Sequence, residues 1–480
     1  MQVKIDTRPL PIVILSRWWR FPVFALVSYS LYHFYQQPPP EGLSVAGFRA
    51  LIVFLACIFL WMTQLLPLPV TGLFALIAPS LLGVISLKEA FGFFGSDAVF
   101  FILGVFMLAA ALYKSGLSTR IALHLLKSGA TSPRRLVFQV MLTSALLSFI
   151  MSEHAVAAMM FPLVVIISKR LSSSPEGRSY SRVLFLAMAW GCVIGGIATM
   201  LGGARVPLAV GLLQKATQGA ATVTFTQWSM GMFPIVVVLF SFCYFLLTRY
   251  YPIKILTVIE ADSVIDKQLR DCGRPLLEER FLGLLLVCTI AGWIFWGKTT
   301  AIMAAIAILS VVLLFIFRVV KWRQIQENME WGVILMYGGA IAMSEILNST
   351  DAGQWFAMTY VVPHLSSPWA LIVILSLMTM ALTEALSNAA VVAIVVPIGL
   401  SIATTVGMDP RVVVYAVASA SSMNYVLPMS TPAVAIAYSS GYLKIREVIV
   451  PASIMWVISW VALMLTAKFW WPLLGVKIGQ

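Results

Sequence analysis

Apolar stretches long enough to cross a bilayer, at about 20 residues each, recur along almost the whole chain. They fall at roughly 21–35, 48–66, 70–87, 97–113, 136–168, 183–201, 230–248, 281–297, 299–317, 331–347, 369–402, 411–427 and 447–467. In hydrocarbon a backbone must satisfy its own amides and carbonyls, so a chain patterned this way is driven to helix. Sixty per cent hydrophobic residues, 11% charged residues and a mean hydropathy of +0.95 agree, since a water-facing surface needs about a quarter charged residues. The expected fold is an all-α membrane protein of about 11 transmembrane helices plus two re-entrant hairpins.

The formal net charge of +13 does not point to nucleic acid, because Lys and Arg lie in short loops between spans, where the positive-inside rule puts them. Five scattered cysteines form no close pair and suggest neither a disulfide framework nor a metal site. The first apolar segment follows Arg17 and Arg20 and ends in Gln36, Gln37 and Pro38–Pro40 without a small-residue cleavage site. It reads as a retained helix, with a cytoplasmic N-terminus in a bacterial inner (plasma) membrane.

The longest polar interval, 249–280, mixes basic and acidic residues and divides the chain. The expected organisation is an N-terminal helix and linker over 1–44, a first repeat over 45–248, a cytoplasmic loop over 249–280 and a second repeat over 281–480. Two stretches are too long for simple spans. The first, 136–168, is flanked by basic residues on both sides (Arg134, Arg135, Lys169, Arg170) and carries Ser152, Glu153 and His154 near its middle. The second, 369–402, has Asp351 and Ser366–Pro368 before it and Asp409–Arg411 after it, with Thr383, Glu384, Ser387 and Asn388 near its middle.

Both stretches read as hairpins that turn inside the membrane, entering from opposite faces. Ser152–Pro162 and Ser387–Pro397 align without gaps at an offset of 235, with five of eleven residues identical. This predicts two inverted-topology repeats with hairpin tips near the midplane, an arrangement suited to alternating access. Broken helices there expose amides at half-helix N-termini, which favour an anion, and carbonyls, which favour a cation.

The Thr383-Glu-Ala-Leu-Ser387-Asn388-Ala389 run and the Leu427-Pro-Met-Ser-Thr431-Pro432 run resemble a hairpin tip and an unwound segment of the divalent anion:sodium symporter family. The resemblance covers about 45–470. It implies a homodimeric secondary carrier of dicarboxylate, sulfate or sulfonate, working with sodium, protons or as an exchanger. Substrate would then lie against Ser152, Glu153, His154, Arg205, Ser387, Asn388, Ala389, Thr431 and Pro432, and sodium against Thr383, Ser387 and Asn388. Sodium is the one cofactor-like ion implied.

The chain departs from that pattern in ways that bear on its chemistry. Ala389 stands for a threonine, Ala433-Val434 for proline and asparagine, Ser152-Glu153-His154 for Ser-Asn-Thr, and Leu201-Gly-Gly-Ala-Arg205-Val-Pro207 for Gly-Thr-Pro-Pro-Asn. Ionisable side chains deep in a bilayer cost a few kcal/mol each, about 2.5–3.5 by insertion measurements. Arg205 is therefore expected to hold either the anion or the place of a cation, with Glu153 as counter-ion and Glu153 or His154 as coupling groups. The plainer alternative is an ion pair that only pins the hairpin to the unwound helix.

Gly195, Gly196, Gly202 and Gly203 are read as helix breaks, and Trp18, Trp19, Trp293, Trp296, Trp470 and Trp471 as interfacial anchors. An anion channel is the nearest competing function. A membrane enzyme modifying an acyl or lipid substrate through His154 and Glu153 is a more distant one.

Overall fold

The computed structural model describes residues 20–128, 132–171, 174–255, 258–365 and 367–478. Trp18 and Trp19 lie outside them. The described residues form helices, turns and loops without a strand, so each amide in a span is satisfied within its own segment. Among the described residues, eight helices are long and apolar enough to cross a membrane, beginning with Val45–Thr63 and ending with Ile445–Phe469. Shorter apolar helices (Leu68–Leu81, Thr300–Ile316, Arg411–Ala420) lie among them. Leu277–Phe295 carries its charges, Glu278, Glu279 and Arg280, in its first turn.

Both long stretches fold as helix-turn-helix hairpins. The first pairs Pro133–Ser148 with Glu153–Leu171, and the second pairs Pro368–Thr383 with Asn388–Thr405. Their turns fall at 149–152 and 384–387, where the polar breaks in the sequence put them. Each hairpin starts alike: Ser132 and Ser367 cap the first arm by accepting from Arg135 and Ala370, and a proline follows in the first turn. These Ser-Pro pairs are also 235 residues apart. Ahead of the second hairpin, Ala352–His364 meets Pro368–Thr383 at a bend of 106°.

Two further helices are interrupted. Pro175–Ala198 gives way to an irregular segment before Arg205–Ala216, and Arg411–Ala420 does so before Pro432–Ser439. The packing crosses between halves. Arg205–Ala216 lies against the second arm of the second hairpin, and Pro432–Ser439 against the second arm of the first. Each hairpin's first arm instead packs on the interrupted helix of its own half, Pro133–Ser148 on Pro175–Ala198 and Pro368–Thr383 on Arg411–Ala420.

The glycines divide between two roles, which corrects the reading of all four as breaks. Gly195 sits inside Pro175–Ala198, where a Cβ would overlap the backbone of Ala145 in the hairpin arm. Gly202 lies in the interruption, where a Cβ would overlap the backbone of Gly196. Close helix approach therefore requires the first and the sharp return of the chain requires the second. Two of the tryptophans also differ from expectation. Trp293 and Trp471 are buried and donate their indole N–H groups to the carbonyls of Met303 and Gly231. With the polar end satisfied inside the protein, neither indole needs the membrane interface. Trp296 is exposed, as an anchor should be.

The 249–280 interval is more ordered than a loop. It contains the helix Ile259–Asp271, which buries Ala261 and Ile265. Ion pairs from Lys127 to Asp266 and from Arg120 to Glu279 fasten this region to the helix Leu117–Lys127.

Candidate functional site between the hairpin tips

A cavity of about 730 Å³ opens between the two tips. Ser152, His154, Arg205, Ser387, Asn388, Ala389 and Pro432 all line it, so the structure gathers most of the residues singled out in the sequence. Four helices start at its wall: Glu153–Leu171, Arg205–Ala216, Asn388–Thr405 and Pro432–Ser439. Their free amides and the positive ends of their dipoles favour negative charge in the space between.

Part of that donor set is capped. Ser152 Oγ accepts from Ala155 at 3.4 Å and Ser387 Oγ accepts from Ala390 at 3.3 Å. Thr431 Oγ1, buried behind the wall, accepts from Val434 at 3.1 Å. These three hydroxyls thus shape helix starts. Thr383 is fully buried and its hydroxyl donates to the carbonyls of Thr379 and Met380, while its own carbonyl accepts from Asn424 Nδ2 at 3.4 Å.

Glu153 is completely buried, and Arg205 is 2% exposed. The guanidinium faces the carboxylate fork to fork, with Nη1 to Oε1 and Nη2 to Oε2 both at 3.3 Å. Nη2 also donates to the carbonyl of Gly196 at 3.0 Å. A Cβ at Gly203 would overlap the guanidinium, so the interruption is shaped around it. Arg205 stands at the first position of its helix, where the dipole opposes a cation, whereas Glu153 stands at the first position of its own, where a carboxylate is favoured. The carboxylate holds the arginine in an otherwise unfavourable place.

The charge pair extends across the molecule. Asn388 Nδ2 donates to Glu153 Oε1 at 3.4 Å, joining one tip to the other. These two residues are 235 apart and occupy the same place in the two aligned tip sequences. Asn388 Oδ1 in turn accepts from Asn424 Nδ2 at 2.8 Å, and Asn424 also donates to the carbonyls of Thr383 and Ser430. Each tip is therefore gripped by a side chain from the interrupted helix region of its own half, a guanidinium in the first and an amide in the second.

Sequence reasoning missed Asn424. Its signal was available, since an asparagine inside the apolar run 411–427 needs partners in hydrocarbon. Ser430 was missed as well; it is 2% exposed, lines the cavity, and its hydroxyl has no partner. Glu384 serves as scaffold. Its carboxylate accepts from the backbone N–H groups of Tyr425, Val426 and Leu427 at 2.9–3.3 Å, holding the second interruption against its tip.

A bundle of membrane-spanning helices with two hairpin tips and four helix starts around one cavity is an architecture of secondary carriers. Residues 16–477 match the family model described as the sodium:sulfate symporter transmembrane region. The chain belongs to the divalent anion:sodium symporter family. It is similar to the sodium-dependent dicarboxylate transporter SdcS of Staphylococcus saprophyticus, with 27% identity over 92% of this chain and 89% of that protein. It is also similar to SdcS of Staphylococcus aureus, with 25% identity over 96% and 92%. Among solved structures, Neisseria gonorrhoeae MtrF, reported as illuminating a class of antimetabolite efflux pumps, shares the fold with a TM-score of 0.57. The identity there is 17%, over 92% of this chain and 97% of MtrF. The protein is thus an integral membrane transporter that carries anions by secondary active transport, and not an enzyme.

Proposed function

We propose that the cavity between the tips is the cargo site and that it opens alternately to the two sides as the halves 45–248 and 281–480, related as inverted repeats, move against each other. The observation that carries this reading is the contact between Glu153 and Asn388, because it ties the two aligned tips together at the cavity. The cargo is an anion of the dicarboxylate, sulfate or sulfonate type. It sits against Ser152, His154, Arg205, Ser387, Asn388, Ala389 and Pro432, with Glu153 and Thr431 behind them.

Sodium is the proposed coupling ion, in keeping with the names of the relatives. In the second half, the carbonyls of Thr383 and Ser430 and the side-chain oxygen of Asn388 lie together around the Asn424 amide. Neutral oxygens of this kind suit a hard cation, with Ser387 beside them. In the first half, the guanidinium of Arg205 already occupies the comparable place beside Gly196 and the tip. On this reading the protein works in a bacterial inner membrane with its N-terminus in the cytoplasm, which fits the basic loops, and as a homodimer, as the family resemblance implies.

Proteoliposome uptake of labelled anions under an inward sodium gradient, a proton gradient or neither tests the reading. Uptake should require sodium and saturate. Uptake that is indifferent to sodium but follows the proton gradient would move the coupling role to His154.

A further inference from the structure

The two tips differ in what they can offer a cation. Glu153 and Asn388 hold the same place in the aligned tip sequences, yet one is a buried carboxylate and the other a neutral amide. At the first tip the guanidinium of Arg205 takes up three oxygens, both of the Glu153 carboxylate at 3.3 Å and the carbonyl of Gly196 at 3.0 Å. A Cβ at Gly203 or at Gly196 would crowd it, so the chain is shaped to the guanidinium from two sides. A guanidinium has five donors and no acceptor, and it stays charged throughout the physiological pH range. It has no oxygen to give a metal ion, and its own charge repels one. A sodium ion therefore does not fit the first tip.

The second tip is held by a group that can be reversed. Asn424 Nδ2 donates to Asn388 Oδ1 at 2.8 Å and to the carbonyls of Ser430 at 3.1 Å and Thr383 at 3.4 Å. Asn424 is fully buried, and its Oδ1 has no partner. A primary amide carries donors at one end and an acceptor at the other, and half a turn about its terminal torsion exchanges the two. Turned in this way, Asn424 adds its Oδ1 to the two carbonyls and to Asn388 Oδ1. Four neutral oxygens are a donor set of the kind a hard cation takes. No turn of Arg205 produces the like, because every polar atom of a guanidinium is a donor.

Inverted repeats give each half an equivalent place for a cation. Resting on the reading that sodium is the coupling ion, we infer that Arg205 fills the first of these places permanently, and that each protomer takes one exchangeable sodium, at the second tip between Asn388 and Asn424. Arg205 is on this account a positioning residue: it holds the first tip at every sodium concentration, whereas the second tip is completed only when sodium arrives. One sodium accompanies each anion through the cycle.

The test uses the full-length protein in detergent, with the thermal midpoint followed as sodium replaces choline at constant ionic strength. The rise should follow the linkage slope of one sodium per protomer, and a slope of two overturns the inference. Asn424→Ala should flatten the slope to near zero; a slope of one in that variant puts the ion elsewhere and overturns the inference as well. Arg205→Ala empties the first place beside an unpaired carboxylate. It should lose stability in choline and regain it in sodium with a slope approaching two, while Arg205→Lys, which keeps a tethered charge, should stay at one. A slope of one in Arg205→Ala overturns the role of fixed cation, and if that variant does not fold, the wild-type and Asn424→Ala slopes decide. In proteoliposomes held at zero membrane potential, a tenfold inward sodium gradient should accumulate labelled succinate about tenfold, and accumulation of about a hundredfold overturns the inference. Failure of the underlying reading looks different: a wild-type midpoint indifferent to sodium removes sodium coupling itself, and the inference with it.

Discussion

Glu153 and Arg205 together decide what can be asked of single residues. A buried ion pair can contribute little net stability, yet removing one partner strands the other, at a cost of about 3–5 kcal/mol. Arg205→Gln and Glu153→Gln should each lower the thermal midpoint in detergent strongly, while Glu153→Gln combined with Arg205→Gln should recover much of the loss. Anion transport should stay abolished in the double variant if the guanidinium holds cargo. A double variant that transports like wild type would reduce the pair to a structural pin. The tip residues themselves were legible, because serine, glutamate and histidine stand out in an apolar run and the aligned Ser387-Asn388 marks the partner. Which of them face cargo was not. Ser152 and Ser387 line the cavity with hydroxyls that also cap helices, and Glu153 sits behind the cavity rather than on it. Burial on that scale depends on which helix packs behind the tip, and no local pattern encodes it.

At the scale of elements, the two interruptions are held by different chemistry. The first is stitched by Thr199, which donates to the carbonyl of Phe149 at 2.6 Å, and by the amide of Glu153, which donates to the carbonyl of Gly202 at 3.1 Å. The second relies on one carboxylate, Glu384, for three backbone amides. Charge-assisted bonds of this kind are worth about 1.5–3 kcal/mol. Glu384→Ala should therefore speed hydrogen exchange at 425–427 about tenfold or more with little change at 199–204, as read by mass spectrometry. Equal protection in the variant would mean that packing alone holds the segment. The hairpins were legible as elements because their length exceeded one crossing and polar residues marked the turn. The helix Ile259–Asp271 was not, since its charged residues hide a short apolar face made of Ala261 and Ile265.

For the molecule as a whole, the connection between halves is docked onto the first half by charge. The ammonium of Lys127 beside Asp266 holds that carboxyl below its usual range, and Glu279 holds Arg120 above its own. A depressed carboxylate pKa contributes stability above the unfolded value, near 3.9, and loses it as pH falls through the folded value below that. Docking of Ile259–Asp271 should therefore be insensitive to pH between about 5 and 8 and weaken in stronger acid. At neutral pH, about 1 M salt should loosen the exposed Lys127–Asp266 pair far more than the Arg120–Glu279 pair, whose side chains are 12% and 7% exposed. Limited proteolysis across 255–275 at both salt concentrations checks this, and equal cleavage would show that Ala261 and Ile265 suffice.

The meeting of Glu153 and Asn388 also bears on how such a chain can change over generations. With the halves read as inverted repeats, as proposed, the two residues hold equivalent positions and face each other. Two carboxylates face to face would repel, so an acid could settle on one side only while the other stayed neutral and able to donate. A substitution at either position is therefore limited by the charge and donor capacity of the residue it touches.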